Sequence, residues 1–354
     1  MEGISIKKTL TLFLTSALCL MMASCSNDEP QASDNAEKDT AQAEGNGTQV
    51  ASARSEAPPA SQDITIDDQT FHIIMLNDEI LDFAKAVEND SNAVKKDVYT
   101  EKVVKPLRKQ AAEVNAHIYS DYYSFLSPNT NIAKLKESAE DLIAKQDRIL
   151  ELVEQGIRDS VEHMPGIDKT IIIAPVNPDE LFVIEKMGGV AGAALSKDTF
   201  IIRIDPSFNE EGLKHVVAHE YHHTLQAEKD ANSANTMLGA FVLEGKADAF
   251  ANIVYPDYQA PWIEPLSEKS QEKVFEELRD NGNDWDYKRY YEFMNGNSSK
   301  GIPLWSNYKT GYQIIQSYLK NHPDEPVEEW TALNPKEIIS GSGFKEFFEE
   351  LEAM

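Results

Sequence analysis

Apolar residues at helical spacing dominate the first half of the chain. Between residues 78 and 161 they recur three and four positions apart, the period of an amphipathic helix. One such stripe consists of Ile132, Leu135, Ala139, Leu142, Ile143, Ile149, Leu150, Val153 and Ile157. Pro106 and the Ser-Pro-Asn sequence at 127–129 are typical of breaks between helices. We therefore predict a helical N-terminal region over residues 63–164, which carries no chemical motif and is interpreted as a packing lobe.

The pattern changes after residue 165. Segments 170–175 and 199–204 are short runs rich in β-branched residues and bounded by turn-forming residues, so they predict two strands. Between them, residues 188–195 contain three glycines and several alanines. Small side chains would let another backbone approach this segment closely, and a plain tight hairpin is the alternative interpretation.

A buried helix is predicted further along the chain. Residues 237–255 are apolar on nearly every helical face and are interrupted by Glu244, Lys246 and Asp248. Three more helices are predicted after it, at residues 267–279, 284–294 and 307–320.

The N terminus predicts a lipoprotein. Two lysines precede an apolar stretch at residues 9–22, and small residues lead from it into Cys25. This arrangement is typical of a secretory signal, and the stretch is too short for a stable membrane span. A cysteine directly after small residues resembles the lipobox of bacterial lipoproteins. We predict a signal peptide at 1–24, attachment of diacylglycerol and further acyl chains such as palmitate at Cys25, and a lipid anchor on the extracytoplasmic face of a bacterial membrane, in the cell envelope. An ordinary secretory signal with an incidental cysteine is the alternative.

Residues 25–62 are polar and show no apolar periodicity, so they predict a disordered tether. The second cysteine, Cys19, lies inside the predicted signal peptide, which leaves the mature protein without a disulfide or a thiolate metal ligand. The formal net charge of the chain is −27. Without a basic patch to neutralise phosphates, nucleic acid is excluded as a partner. The same charge argues against adsorption to anionic lipid and leaves the acyl anchor as the membrane attachment.

The strongest chemical signal is the H-E-x-x-H match at residues 219–223. His219 and His223 are four apart and share one helical face, so both imidazoles can bind one metal ion. Glu220 lies about 100° around the helix, where it can reach a water molecule without acting as a ligand. The apolar residues on the opposite side predict that one side packs into a core while the other faces a cleft: they are Leu213, Val217, Ala218, Tyr221 and Leu225.

Glu244 is the candidate third ligand, because buried carboxylates are normally paired or bound to metal. Asp248 lies one turn further along the same face and is predicted to accept the second N–H of a ligand histidine, which fixes the orientation of the ring. Alternatively, both acids lie at a helix surface and pair with Lys246 or an arginine.

Two other histidines stand close to the motif. His215 and His223 are about 12 Å apart on a helix, too far to bind one small ion together. We interpret His215 as a cleft-lining or core-edge residue. His222 is interpreted as a residue that packs or bonds to the backbone.

Together these motifs resemble the glutamate-ligand zincin, or gluzincin, pattern. A longer string resembles the YjaZ-like family of predicted zinc-dependent proteases; it includes residues 188–192, 200–206, 219–223, 243–245 and 308–312 and spans roughly residues 165–345. The resemblance implies a zincin-like catalytic domain at 165–354. It implies an α+β, predominantly α-helical fold, with a small β-sheet, an H-E-x-x-H helix and a helix that carries the glutamate ligand.

A zinc ion held by three protein groups keeps a fourth position for water and lowers the pKa of that water. We expect one zinc ion per chain, bound by His219, His223 and Glu244, with Glu220 as the general base of peptide hydrolysis.

In zincins an edge strand lines the cleft and pairs with extended substrate. Val190, Ala193 and Ala194 are the candidates for that strand here. The oxyanion also needs a donor besides the metal, and Tyr308 or Tyr312, one helical turn apart, is the candidate.

The predicted function is that of a membrane-anchored extracytoplasmic zinc metallopeptidase that acts on peptide or protein substrates. Two alternatives stay open. One is a zinc-binding but inactive surface lipoprotein that serves as a binding or scaffold module. The other is a lipoprotein that binds solutes or glycans and carries the motif by accident. The pattern carries no signal for an oligomeric state.

Overall fold

The computed structural model describes residues 61–116, 118, 131–230 and 234–349. The predicted signal peptide, Cys25 and the tether up to residue 60 lie outside these residues. Within them, one five-stranded sheet is formed by β1 (Ser61–Ile66), β2 (Gln69–Met75), β3 (Lys169–Pro175), β4 (Val190–Ala194) and β5 (Thr199–Ile204). Its order is β1-β2-β3-β5-β4. The pairs β2–β3 and β3–β5 are parallel, whereas β1–β2 and β4–β5 are antiparallel.

The two strands predicted from β-branched runs are confirmed as β3 and β5, and they are direct neighbours. Every residue of β3 is buried, as expected of a parallel strand that is covered on both faces. The small-residue segment forms β4, which ends the sheet as an edge strand and makes an antiparallel hairpin with β5.

Helices account for most of the described chain, and the fold is α+β and predominantly helical. They are α1 (Asn77–Asn89), α2 (Lys95–Tyr99), α3 (Lys105–Glu113), α4 (Ile132–Ala144), α5 (Gln146–His163), α6 (Leu181–Lys186), α7 (Glu210–Lys229), α8 (Met237–Val254), α9 (Glu268–Asn281), α10 (Tyr287–Asn295), α11 (Ser306–Asn321), α12 (Val327–Ala332), α13 (Pro335–Gly341) and α14 (Lys345–Glu349). None of the described helices is long and apolar enough to cross a bilayer.

The sheet separates two hydrophobic clusters. On one face, α5 and α7 pack against residues such as Phe200 and Ile202, in the larger cluster that continues to α8 and α11. On the other face, α1 and α4 pack against residues such as Ile172 and Ile201. Alternate residues of each central strand therefore pack into the two different clusters. Because both faces of these strands are buried, their sequences are continuously apolar.

Strands β1 and β2 were not predicted. They form a hairpin in which Ile66 pairs with Gln69 across a two-residue turn, and Asp67 in that turn has a φ of 51°. The first strand begins at Ser61, so the last two residues of the predicted tether are part of the sheet. Because β2 pairs with β3, the sheet includes strands from both the predicted N-terminal region and the predicted catalytic domain.

Helices α8 and α11 cross at very short distance. A Cβ on Gly245 would lie 2.1 Å from the backbone carbon of Gly311, and a Cβ on Gly311 would lie 1.9 Å from the carbonyl oxygen of Phe241. No larger residue fits at either position with the helices in place. This crossing sets α11 beside the residue that precedes Gly245, which is Glu244.

Candidate metal centre and active site

Helix α7 carries the H-E-x-x-H residues and is buried along most of its length. Its N terminus is capped by Asn209, whose side chain accepts a hydrogen bond from the Gly212 N–H at 2.7 Å. Residues 212–226 are all buried, because α5, β4 and β5 pack on one side while α8 and α12 pack on others. The side of this helix predicted to face a cleft is buried as well. The helix borders a small, nearly enclosed cavity instead.

Three side chains converge between α7 and α8. His219 Nε2 lies 3.0 Å from His223 Nε2, and Glu244 Oε2 lies 3.2 Å from His223 Nε2 and 3.4 Å from His219 Nε2. In a tetrahedral zinc site with bonds of about 2.0–2.1 Å, neighbouring ligand atoms are about 3.3 Å apart. The three atoms thus have the spacing of three corners of a zinc site, and two imidazoles with one carboxylate suit that ion.

Electrostatic interactions at this cluster couple metal binding to the loss of a proton from His219. Burial lowers the pKa of His219, but Asp248, Glu244 and Glu220 outweigh it and raise that pKa well above its usual value. Burial raises the pKa of Glu244, whereas His223 and His219 lower it to about 2. Glu244 is therefore a carboxylate, the form that binds metal, and a proton held by His219 must leave when a metal ion binds.

Asp248 connects the metal cluster to a tryptophan. Its Oδ1 lies 2.9 Å from His219 Nδ1 and also accepts a hydrogen bond from Trp262 Nε1 at 2.9 Å. A carboxylate at Nδ1 directs Nε2 of the same ring toward the metal position and fixes the ring orientation. The geometry is that expected of an orienting residue.

Glu220 lies beside the metal cluster and against β4. The backbone N–H of Ala194 donates to its carboxylate, and Oε2 has no hydrogen-bond partner among the described residues. Gly192 makes room for it, since a Cβ there would lie 2.3 Å from Glu220 Cγ. Burial raises the pKa of Glu220, and His219 and His223 partly offset that effect. A carboxylate with one unpaired oxygen and a raised pKa is suited to taking up and returning a proton.

A small cavity opens next to Glu220, with room for about one water molecule (≈ 20 Å³). Its lining consists of Met187, Ala191, Gly192, Val216, His219, Glu220, Trp262 and Tyr308. Tyr308 comes from α11, and burial and the neighbouring Glu244 raise its pKa well above the usual value, so its hydroxyl stays a hydrogen-bond donor. Tyr312, the other tyrosine predicted for this role, is half-buried and does not line the cavity.

The three residues predicted for the substrate-binding strand lie on one strand at the edge of the sheet. Val190, Ala193 and Ala194 all belong to β4, which packs against α7. Val190 and Ala194 are buried on the α7 face of the sheet, whereas the half-buried Ala193 packs toward the cluster on the opposite face.

A comparison with known protein families agrees with this geometry. Residues 149–340, more than half of the chain, match the family described as "Predicted Zn-dependent protease (DUF2268)". The chain belongs to this family. The match begins within α5 and ends within α13, so it includes both helices of the metal cluster. No curated protein and no solved structure gave a significant match.

Sequence reasoning missed three residues of this predicted zinc-dependent protease site. Trp262 donates to Asp248, as described above. Gln226 Nε2 lies 3.3 Å from Nδ1 of His223. Burial and Glu244, to which its hydroxyl bonds, raise the pKa of Tyr290 well above its usual value. The spacing from His223 to Gln226, one turn of α7, was a usable signal, whereas Trp262 and Tyr290 reach the site from other elements at no fixed sequence distance.

His215 belongs to the hydrophobic core and does not line the cavity. It is fully buried, and neither ring nitrogen has a hydrogen-bond partner among the described residues. Its ring packs 4.9 Å from that of Tyr258 and 6.0 Å from that of Trp262. Burial lowers its pKa to about 3, so it is a neutral, apolar packing residue at neutral pH.

Helix α12 closes over α7 and α8. His222 Nε2 lies 2.9 Å from Thr331 Oγ1, so this histidine bonds to a side chain rather than to the backbone. Lys246 Nζ donates to the carbonyl oxygens of Thr331 and Leu333, at 3.0 and 2.5 Å. The buried lysine therefore binds the C-terminal end of α12. Glu244 and Asp248 pair with the histidines of the metal cluster and not with this lysine.

Proposed function

We propose that this protein is a zinc metallopeptidase, anchored by Cys25 on the extracytoplasmic face of a bacterial membrane, with one zinc ion per chain. One observation carries the catalytic part. The unpaired carboxylate oxygen of Glu220 lies next to a preformed set of three zinc ligands, in a cavity bounded by an edge strand. A purely structural zinc site has no need of a free carboxylate beside its ligands.

When bound, zinc supplies Lewis-acid chemistry: it polarises a carbonyl and lowers the pKa of a water molecule. Glu220 accepts a proton from the attacking water while the new C–O bond forms at the amide carbon. It then delivers the same proton to the leaving nitrogen as the C–N bond breaks, so the carboxylate is regenerated. The raised pKa of Glu220 supports both transfers, because a pKa closer to neutral pH lets the carboxyl group both accept and return a proton.

Tyr308 is proposed as the donor to the oxyanion. Its position in the cavity beside Glu220 supports this role, as does a pKa raised by burial and by Glu244, which keeps the proton on the hydroxyl. Tyr312 is not proposed for it.

The free edge of β4 is proposed to bind the substrate backbone. The hydrogen bonds from Asp205 N to Gly189 O and from Leu195 N to Thr199 O fix which residues face β5. By alternation, Val190 and Gly192 present their N–H and C=O groups away from β5, and so does Ala194, whose N–H already donates to Glu220. An extended peptide can add to this edge as a further strand, within reach of Glu220.

The decisive experiment is metal analysis and a peptide-library digest of the full-length protein, purified in detergent without chelator. The Glu220→Gln variant should keep its zinc and lose hydrolysis by about 10²-fold or more. Glu211→Gln makes the same change on an exposed residue of α7 and should behave as the wild type.

Each other result favours a different reading. Zinc at full occupancy without hydrolysis by the wild type supports the inactive scaffold. A protein that contains no zinc supports an accidental motif. Hydrolysis that survives in Glu220→Gln removes that residue from the general-base role.

A further inference from the structure

The hydroxyl of Tyr290 lies between a proposed metal ligand and a buried amide. It bonds to the carboxylate of Glu244, and it lies 3.2 Å from Nδ2 of Asn307. All three residues are buried, so bulk water does not compete for these polar groups. The side chains form a chain of hydrogen bonds that ends at the metal cluster, and the proposed proton transfers do not use Tyr290 or Asn307.

Helix packing brings these side chains together. The ring of Tyr290, on α10, packs 6.2 Å from that of Phe241, centroid to centroid. Phe241 precedes Glu244 by three residues on α8, so the two lie on neighbouring turns of one helical face. Asn307 precedes Gly311 by four residues on α11, next to the point where the two helices touch. Three helices, α8, α10 and α11, therefore fix the chain of hydrogen bonds.

The donors and acceptors allow one direction for this chain. A carboxylate only accepts hydrogen bonds, and a phenol has a single proton to donate. If the amide oxygen of Asn307 faced the hydroxyl, it would compete with Glu244 for that proton. With Nδ2 toward the hydroxyl, the amide donates to the phenol oxygen and the phenol donates to the carboxylate. Asn307 thus directs the O–H of Tyr290 toward Glu244.

The other end of the same amide indicates that this bond matters. Oδ1 of Asn307 has no hydrogen-bond partner among the described residues. Burial of an amide oxygen without a partner opposes folding. An apolar side chain of similar size would avoid that cost, so the contribution of Asn307 lies in its N–H.

One oxygen of Glu244 serves the metal cluster. Oε2 lies 3.2 Å from His223 Nε2 and 3.4 Å from His219 Nε2. A carboxylate free to rotate would move this oxygen away or present both oxygens to the ion. We propose that Tyr290 and Asn307 are positioning residues, which hold the Glu244 carboxylate so that it binds the metal ion through one oxygen. The proposal rests on the proposed function, because both need the zinc site.

The first test compares metal binding by the full-length wild type and Tyr290→Phe, both purified in detergent. Phenylalanine keeps the ring and removes the hydroxyl. Zinc affinity, measured by competition with a chelator, should fall by about tenfold, as for other residues that orient a metal ligand. Tyr287→Phe makes the same change at an exposed residue of α10 and should bind zinc as the wild type does.

Cobalt(II) in place of zinc reports how the carboxylate binds. It accepts the same nitrogen and oxygen ligands, and its visible absorption bands weaken as the number of ligands rises. In Tyr290→Phe both carboxylate oxygens can reach the ion, so the bands should weaken at full cobalt occupancy. A hydroxyl that serves only the fold would lower the temperature of unfolding and leave the bands as in the wild type, which overturns the proposal.

Asn307→Leu tests whether the amide acts through the phenol. Leucine has a similar shape and cannot donate, so this change alone should weaken zinc binding by about threefold or more. Combined with Tyr290→Phe it should have no further effect, because the acceptor of its N–H is already gone. If Asn307→Leu does not fold, Asn307→Ala, which is smaller and also lacks the N–H, replaces it.

The outcomes separate the positioning residues from the metal site. Unchanged zinc affinity and unchanged cobalt bands in Tyr290→Phe overturn the proposal and leave the zinc site intact. Losses that add up in the double variant show that Asn307 does not act through Tyr290, which also overturns it. A wild type that binds neither zinc nor cobalt removes the metal site itself, and the proposed function then fails together with the positioning role.

Discussion

One carboxylate oxygen, Oδ1 of Asp248, accepts hydrogen bonds from two different side chains. His219 and Trp262 both lie 2.9 Å from it, so the orientation of the ligand ring depends on the indole as well as on the acid. Because a fully buried carboxylate is held in place by its donors, loss of one donor lets it move or protonate. The tryptophan thus supports the metal cluster without contact to the metal position.

Trp262→Phe should weaken zinc binding by about tenfold, because the ring remains in place while the hydrogen bond to Asp248 is lost. Competition with a chelator of known affinity measures the change. The ring of Trp305 lies 6.4 Å from that of Trp262, centroid to centroid. Among the described residues Trp262, and not Trp305, donates to Asp248, so Trp305→Phe is the matched control. Equal zinc affinity in Trp262→Phe and wild type would show that the indole N–H contributes nothing.

His215 makes the stability of the protein sensitive to acid. Its pKa is lowered to about 3 by burial, whereas an unfolded histidine has a pKa of about 6.5. Below pH 6.5 the unfolded chain binds a proton that the folded chain excludes. The contribution of the neutral histidine is therefore complete above pH 6.5 and is lost as the pH falls toward 3, by up to about 1.4 kcal/mol per pH unit.

His215→Phe should flatten this dependence, since phenylalanine cannot take up a proton in the unfolded state. Urea unfolding at pH 7.5 and pH 5, both with chelator, gives the comparison, and exposed His163→Phe is the control. The expectation fails if wild type and His215→Phe lose the same free energy of unfolding between the two pH values.

The sequence predicts site residues that share one helix, because their spacing follows the helical period. It does not predict site residues that come into contact from different elements. His219, Glu220 and His223 follow from the period of an α-helix, and Glu244 follows from an acid inside an apolar segment. By contrast, Trp262 follows a helix that ends eight residues earlier and reaches the cluster only through tertiary packing. Solvent exposure was also misjudged, because nothing in the sequence of α7 indicates that α8 and α12 cover it.

At the scale of elements, the crossing of α8 and α11 holds the glutamate ligand in place. Gly311→Ala would put a Cβ 1.9 Å from a carbonyl oxygen of α8, so the two helices must separate. We expect a loss of about 1–3 kcal/mol in the free energy of unfolding and a weaker affinity for zinc. Thermal unfolding and chelator competition measure the two effects.

Gly343→Ala is the control for that change. Its Cβ would meet only the Ser317 hydroxyl, at 3.1 Å, which is the end of a flexible side chain that also accepts the Gly343 N–H at 2.9 Å. Within α11, alanine at position 311 would by itself favour the helix, so any loss of stability in Gly311→Ala comes from the crossing. A stable Gly311→Ala protein with unchanged zinc affinity would contradict the close crossing.

The hairpin of β1 and β2 shows why some elements escaped prediction. Ile64, Ile66, Phe71 and Ile73 alternate with polar residues on both sides of Asp67-Asp68, which is a strand pattern. The turn itself lacks glycine and proline, the usual markers, although aspartate tolerates the left-handed conformation that Asp67 adopts. The strands β3 and β5 were found because continuous β-branched runs need no such marker.

At the scale of the whole molecule, the proposed membrane attachment depends on a single side chain. Cys25→Ser should abolish incorporation of a palmitate analogue into the protein expressed in a bacterial host. Cys19→Ser changes the other cysteine, inside the predicted signal peptide, and should leave incorporation intact. Label that persists in Cys25→Ser, or that is absent from the wild type, contradicts the lipid anchor.

The family match and the sheet divide the chain at different points. Residues 149–340 match the family, yet β3 in that span pairs with β2, which precedes it by almost a hundred residues. The sheet that supports α7 is therefore completed by chain outside the matched span.

The order of the strands places β1 and β4 at opposite edges of the sheet. The chain enters the sheet at β1, on one margin, and the free strand beside Glu220 forms the other margin. With strands about 4.8 Å apart, the two margins lie about 19 Å from each other. If the proposed anchor and active site are both correct, the attached end of the sheet and its proposed substrate-binding edge lie at opposite margins.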